Sequence, residues 1–157
     1  MTGADFLAAE LARIAYIDGH EEGLKGMLGV AFTIRNRVNA GWDGGDWQKV
    51  ISSSVTSYRA SLKPFTFDVP DPRNFTFQSL LQEITGIFHG FRDDDVTVLK
   101  EPFGAAPTIG VGIQRQQVAL FYGRFEDLSN PWFVETISRN VEQHRLIAQV
   151  GLMGFWS

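Results

Sequence analysis

The chain has 157 residues, a net charge of −4 and a pI near 5.3, a length suited to one domain that buries a core without staples. Its 44% hydrophobic and 20% charged residues are those of a globular protein, and the absence of cysteine excludes disulfides and thiolate metal sites. The acidic balance argues against general nucleic-acid binding, no apolar run reaches the length of a membrane span, and the N-terminal residues lack the basic-then-apolar order of a signal peptide.

Thr2-Gly-Ala-Asp5 has the form of a capping box with Asp in place of Glu, so a first helix is expected to start at Thr2. Phe6, Leu7, Leu11 and Ile14 recur at helical spacing, alanines fill between them, and Gly19 supplies a stop. A second helix is expected after Gly23, with Leu24, Met27, Leu28, Ala31, Ile34 and Val38 forming one stripe. Gly26 and Gly29 would each weaken an isolated helix by roughly 1 kcal/mol relative to Ala. Their presence predicts that another element approaches closely, and that this helix is central. Asn39-Ala-Gly41 ends it.

Asp46 is placed to cap a short helix running through Ile51. A Ser-rich and Pro-containing stretch follows, with Phe65 and Phe67 inside it and Pro70-Asp-Pro72 closing it. A third long helix is expected from an Asn74 N-cap to Phe91, its apolar face made of Leu80, Leu81, Ile84, Ile87 and Phe88. Short extended pieces are expected at Val96 to Leu99, Ile109 to Ile113, Val118 to Tyr122 and His144 to Ala148, the last followed by an apolar C-terminus. Asn130-Pro-Trp132-Phe133 reads as a turn. The expectation is one α+β domain over residues 1–157, a helical body with a small late antiparallel sheet.

The titratable chemistry concentrates in Asp18-Gly-His20-Glu21-Glu22-Gly23, between the first two helices. The negative end of the first helix dipole disfavours a charged Asp18, apolar neighbours add desolvation, and Glu21 and Glu22 repel it. A carboxyl group kept protonated in this way suits a general acid of the kind that glycosidic-bond cleavage needs. The alternative is a solvated polar connection, with Glu22 favoured by the dipole of the second helix. His20 with Asp18 and Glu22 is a sequence-local ligand set, but no His-x-x-x-His pair supports metal binding, and none is expected. Cysteine nucleophiles, Gly-x-Ser-x-Gly and phosphate-binding loops are absent from the sequence.

Leu11 to Val38 resembles the opening of the SleB-type cell wall hydrolases, the spore-cortex-lytic family. That opening runs aromatic-x-Glu-Ala-Arg-Gly-Glu, a glycine, then an apolar helix ending in Asn-Arg-Val. Asn36-Arg-Val38 matches the end, Gly26 the internal glycine and Glu22 the second Glu, while Asp18 stands where the family has its catalytic Glu. Lys63 to Phe67 is similar in place to a cleft loop, Ala119-Leu-Phe-Tyr122 to a strand, Pro131-Trp132 to a Pro-Trp pair, and Thr136-Ile137 with His144-Arg145 to the closing strand.

The resemblance implies a lysozyme-like fold that cleaves peptidoglycan glycan strands, as a lytic transglycosylase or muramidase, without a cofactor. It implies Asp18 and Glu22 as catalytic candidates, and Phe65, Tyr122, Trp132 and His144 as substrate-binding ones. Aspartate is one methylene shorter than glutamate, and a donor misplaced by about 1 Å costs on the order of 100-fold in rate. The competing expectation is therefore an inactive structural or adaptor component of a phage or phage-like particle, with other tail proteins as partners. In either case the protein would be made in the cytoplasm and then be virion-associated or released to the cell wall.

Overall fold

The computed structural model describes residues 3–54, 73–98, 118–124 and 146–156. Along the chain come α1 (Gly3–Gly19), a 3-10 turn (His20–Glu22), α2 (Gly23–Asn39), α3 (Trp47–Ser54) and α4 (Phe75–Phe88). The strands β1 (Phe121–Arg124), β2 (Leu146–Val150) and β3 (Met153–Trp156) follow. The class is α+β, with a small antiparallel sheet late in the chain. The expected cap at Thr2, the Phe65–Phe67 loop, Ile109–Ile113 and the Asn130–Phe133 turn lie outside the described residues.

α2 is the central element: every residue from Gly26 to Ile34 is buried, and it packs against α1, α3, α4, β1 and β3. Burying side chains such as Met27, Phe32 and Ile34 contributes roughly 1.5–3 kcal/mol each, which outweighs the helix cost of two glycines. Both glycines do what their placement predicts. A Cβ on Gly19, at the end of α1, would come within 2.9 Å of the Gly26 carbonyl group, so the two helix backbones touch there. At Gly29 the ring of Phe155 occupies the space a side chain would need, with Cε1 2.6 Å from the Cβ position.

α1 turns a small-residue face, Ala8, Leu11, Ala12 and Ala15, to the core. Phe6, expected on the apolar stripe, is instead 47% exposed, and Leu24 at the start of α2 is 39% exposed. Both lie near the start of their helix, before the buried face begins at Ala8 in α1 and at Gly26 in α2. α3 begins as expected after Asp46, whose Oδ1 accepts from the Lys49 amide at 3.1 Å, and it continues to Ser54.

Asn74 caps α4, its Oδ1 accepting from the amides of Thr76 and Phe77 at 2.9 and 3.3 Å. The helix stops at Phe88 rather than Phe91. Gly90 adopts φ +73°, the Phe91 amide donates to the Gly86 carbonyl and the Gly90 amide to that of Ile87. This is a Schellman ending, and it leaves Phe91 87% exposed.

The sheet order is β1-β3-β2, all antiparallel, with Tyr122 opposite Phe155. The strand expected near His144 is β2, but it is not the last one. The C-terminal residues form β3, whose four residues are all buried, in the middle of the sheet. Gly151 and Leu152 join β2 to β3, and only Gly151 has positive φ, at +56°, the φ pattern of a type II′ hairpin. Among the described residues, the expected piece at Val96 shows a bridge between Val98 and Val118.

Candidate active site

Asp18 lies in the last turn of α1 and is 3% exposed. Its position at the negative end of the helix dipole is the one expected from sequence. Tyr122 on β1, itself 3% exposed, places its hydroxyl 2.5 Å from Asp18 Oδ2. The same hydroxyl is 2.9 Å from the Ser54 carbonyl oxygen at the end of α3. Three elements thus meet at one phenolic oxygen.

A tyrosine hydroxyl has one proton to donate and lone pairs with which to accept. With Asp18 protonated, the carboxyl donates to Tyr122 and Tyr122 donates to Ser54. With Asp18 ionised, the phenol turns its proton to the carboxylate. A small rotation of one O–H therefore accommodates both charge states.

Arg37 of α2 borders this pair. Its Nε donates to the Leu120 carbonyl at 2.7 Å and its NH1 to Ser54 Oγ at 2.9 Å, while its guanidinium carbon lies 4.9 Å from the Trp42 ring centroid and 5.5 Å from that of Tyr122. Burial pulls the Arg37 guanidinium below its ordinary pKa, and the charges of Tyr122 and Asp18 push it back up. The positive charge favours ionised Asp18, whereas burial and the helix end disfavour it.

Asn36, next to Arg37, donates to Thr97 Oγ1 at 3.0 Å and to the Ala119 carbonyl at 2.9 Å. Asp94 accepts from the amides of Val96 and Thr97 at 2.9 and 2.8 Å and from the Thr97 hydroxyl, and it pairs with Arg35 at 3.6 Å. Arg35, Asn36 and Arg37 together moor α2 to the chain that leads into β1.

Glu22 is half-buried and has other neighbours. Its side chain fills the space beside Gly26 and its carboxylate lies against Gly151 in the β2–β3 turn. His20 folds back on α1: its Nδ1 donates to the Tyr16 carbonyl at 2.8 Å and its ring stacks on Tyr16 at 4.9 Å. Among the described residues no group of His, Asp and Glu is arranged to hold a metal ion.

Of the residues singled out from sequence, then, Asp18 and Tyr122 come together and Glu22 faces elsewhere. Phe65, Trp132 and His144 lie outside the described residues. Arg37 and Ser54 entered the sequence reading without a role at the site. The available signal was Arg37 itself, a charged residue one helical turn from Ile34 of the apolar stripe. No family model, curated protein or solved structure matches the chain.

Proposed function

We propose that the protein cleaves the glycan strands of peptidoglycan, with Asp18 as the general acid. The observation that carries this reading is the pairing of Asp18 with Tyr122. The resemblance to the SleB-type hydrolases picks out both residues, from segments 104 positions apart, and they share a hydrogen bond. Entry of a sugar turns the Asp18 O–H from the Tyr122 oxygen to the glycosidic oxygen, while Tyr122 keeps donating to the Ser54 carbonyl 2.9 Å away. The leaving group departs as an alcohol and Asp18 becomes a carboxylate. The Tyr122 hydroxyl and the Arg37 charge then stabilise that anion. A substrate hydroxyl or water completes the reaction, and Phe65, Trp132 and His144 are the remaining sugar contacts in this reading.

A second reading is favoured by one observation: Asp18 is only 3% exposed, and a general acid must touch its substrate. On that reading the Asp18–Tyr122–Arg37 cluster is structural, and the domain is an inactive component of a phage or phage-like particle. Incubation with purified cell walls of several chemotypes separates the two. Release of soluble muropeptides by the natural protein, and its loss in Asp18→Asn, supports the enzyme. No release from any wall favours the structural reading, and activity that survives Asp18→Asn but is lost in Glu22→Gln reassigns the acid.

A further inference from the structure

Tyr122 reaches Asp18 from a short strand, and its position depends on what holds that strand and the Ser54 carbonyl in place. One side chain contacts both supports. Arg37 Nε bonds the carbonyl of Leu120, two residues before Tyr122, and Arg37 NH1 bonds the hydroxyl of Ser54, whose own carbonyl meets the Tyr122 hydroxyl. Ser54 Oγ in turn donates to the Val50 carbonyl at 2.5 Å, which leaves its lone pairs to accept from the guanidinium. The ring of Trp42 covers the guanidinium at 4.9 Å.

We infer that Arg37 is the positioning residue of the Asp18–Tyr122 pair, a fork that locks the start of β1 to the end of α3 and thereby aims the Tyr122 hydroxyl at Asp18. The planar guanidinium matters more than its charge. A lysine ammonium is a single point on a flexible stem and cannot reproduce two divergent bonds from a rigid plane. The inference rests on the proposed catalytic role of Asp18 only for its consequence in turnover. The geometry it concerns is present without substrate.

Among the described residues, the charged and titratable groups around Asp18 include Arg37 from α2 and Tyr122 from β1, with His20, Glu21 and Glu22 following it in the chain. The test is a pH titration of the Asp18 carboxyl carbon by 13C NMR in the full chain without substrate, alongside thermal unfolding. Variants are Arg37→Lys, which keeps the charge, Ser54→Ala, which removes one prong's acceptor, and Arg37→Gln, which removes the charge.

If Arg37 positions the pair, Arg37→Lys and Ser54→Ala each raise the Asp18 midpoint by about half a pH unit or more, because a misaimed phenol stabilises the carboxylate less. If Arg37→Lys and Ser54→Ala both leave the midpoint where it is and only Arg37→Gln raises it, Arg37 is a counter-charge and the inference is overturned. Should Arg37→Lys fail to fold, Ser54→Ala alone decides by the same criterion. Muropeptide release is measured separately. Its absence counts against the proposed function, whereas an unmoved midpoint counts against the role of Arg37.

Discussion

The Tyr122 hydroxyl lies between a carboxyl oxygen of Asp18 and the main-chain carbonyl of Ser54, 2.5 Å from the first and 2.9 Å from the second. Both partners are buried, so the phenol oxygen satisfies polar groups that water does not reach. Its removal in Tyr122→Phe leaves the ring packing intact and deprives those groups of it. The expected loss is about 1–3 kcal/mol of stability, measured by urea unfolding. An unchanged midpoint would show that the hydrogen bond contributes nothing net.

The Gly29 position offers a test in which two effects have opposite sign. Replacing a mid-helix glycine by alanine ordinarily gains up to about 1 kcal/mol. Here the new methyl group would overlap the Phe155 ring, and overpacking of a filled core costs about 1–3 kcal/mol. Gly29→Ala is therefore expected to destabilise, and Phe155→Leu in the same chain to recover part of the loss. A double-mutant cycle by thermal unfolding gives the coupling. Stabilisation by Gly29→Ala alone would contradict the contact.

Asn74 offers a local test. Its side chain receives two amides at the start of α4, so Asn74→Ala is expected to lower stability by about 1 kcal/mol. Because Asn74 is exposed and distant in sequence from Asp18, the Asp18 titration midpoint should not move. A change in both would mean that α4 and the site are coupled.

Much of the helical body is legible in the residues alone. The apolar repeats placed α1, α2 and α4, Asp46 and Asn74 marked the helix starts, and the two glycines marked α2 as the crowded centre. These are interactions within about four residues of chain, or consequences of side-chain size, and they need no partner to be read. The end of α4 was less legible because Phe91 continues the apolar composition while Gly90, one residue earlier, ends the helix by its left-handed φ.

The candidate site divides along the same line. The acidic turn, and the place of Asp18 at a helix C-terminus, follow from sequence. That Asp18 meets Tyr122 while Glu22 turns to Gly151 does not, since the direction each side chain takes depends on the close approach of α1 and α2 at Gly19 and Gly26. Nor does the role of Arg37: its hydrogen bonds run to Ser54 and Leu120, 17 and 83 positions away. Local periodicity and capping set the elements. Which polar groups meet inside was decided only by packing, because a buried side chain takes its partner from whatever the fold brings against it.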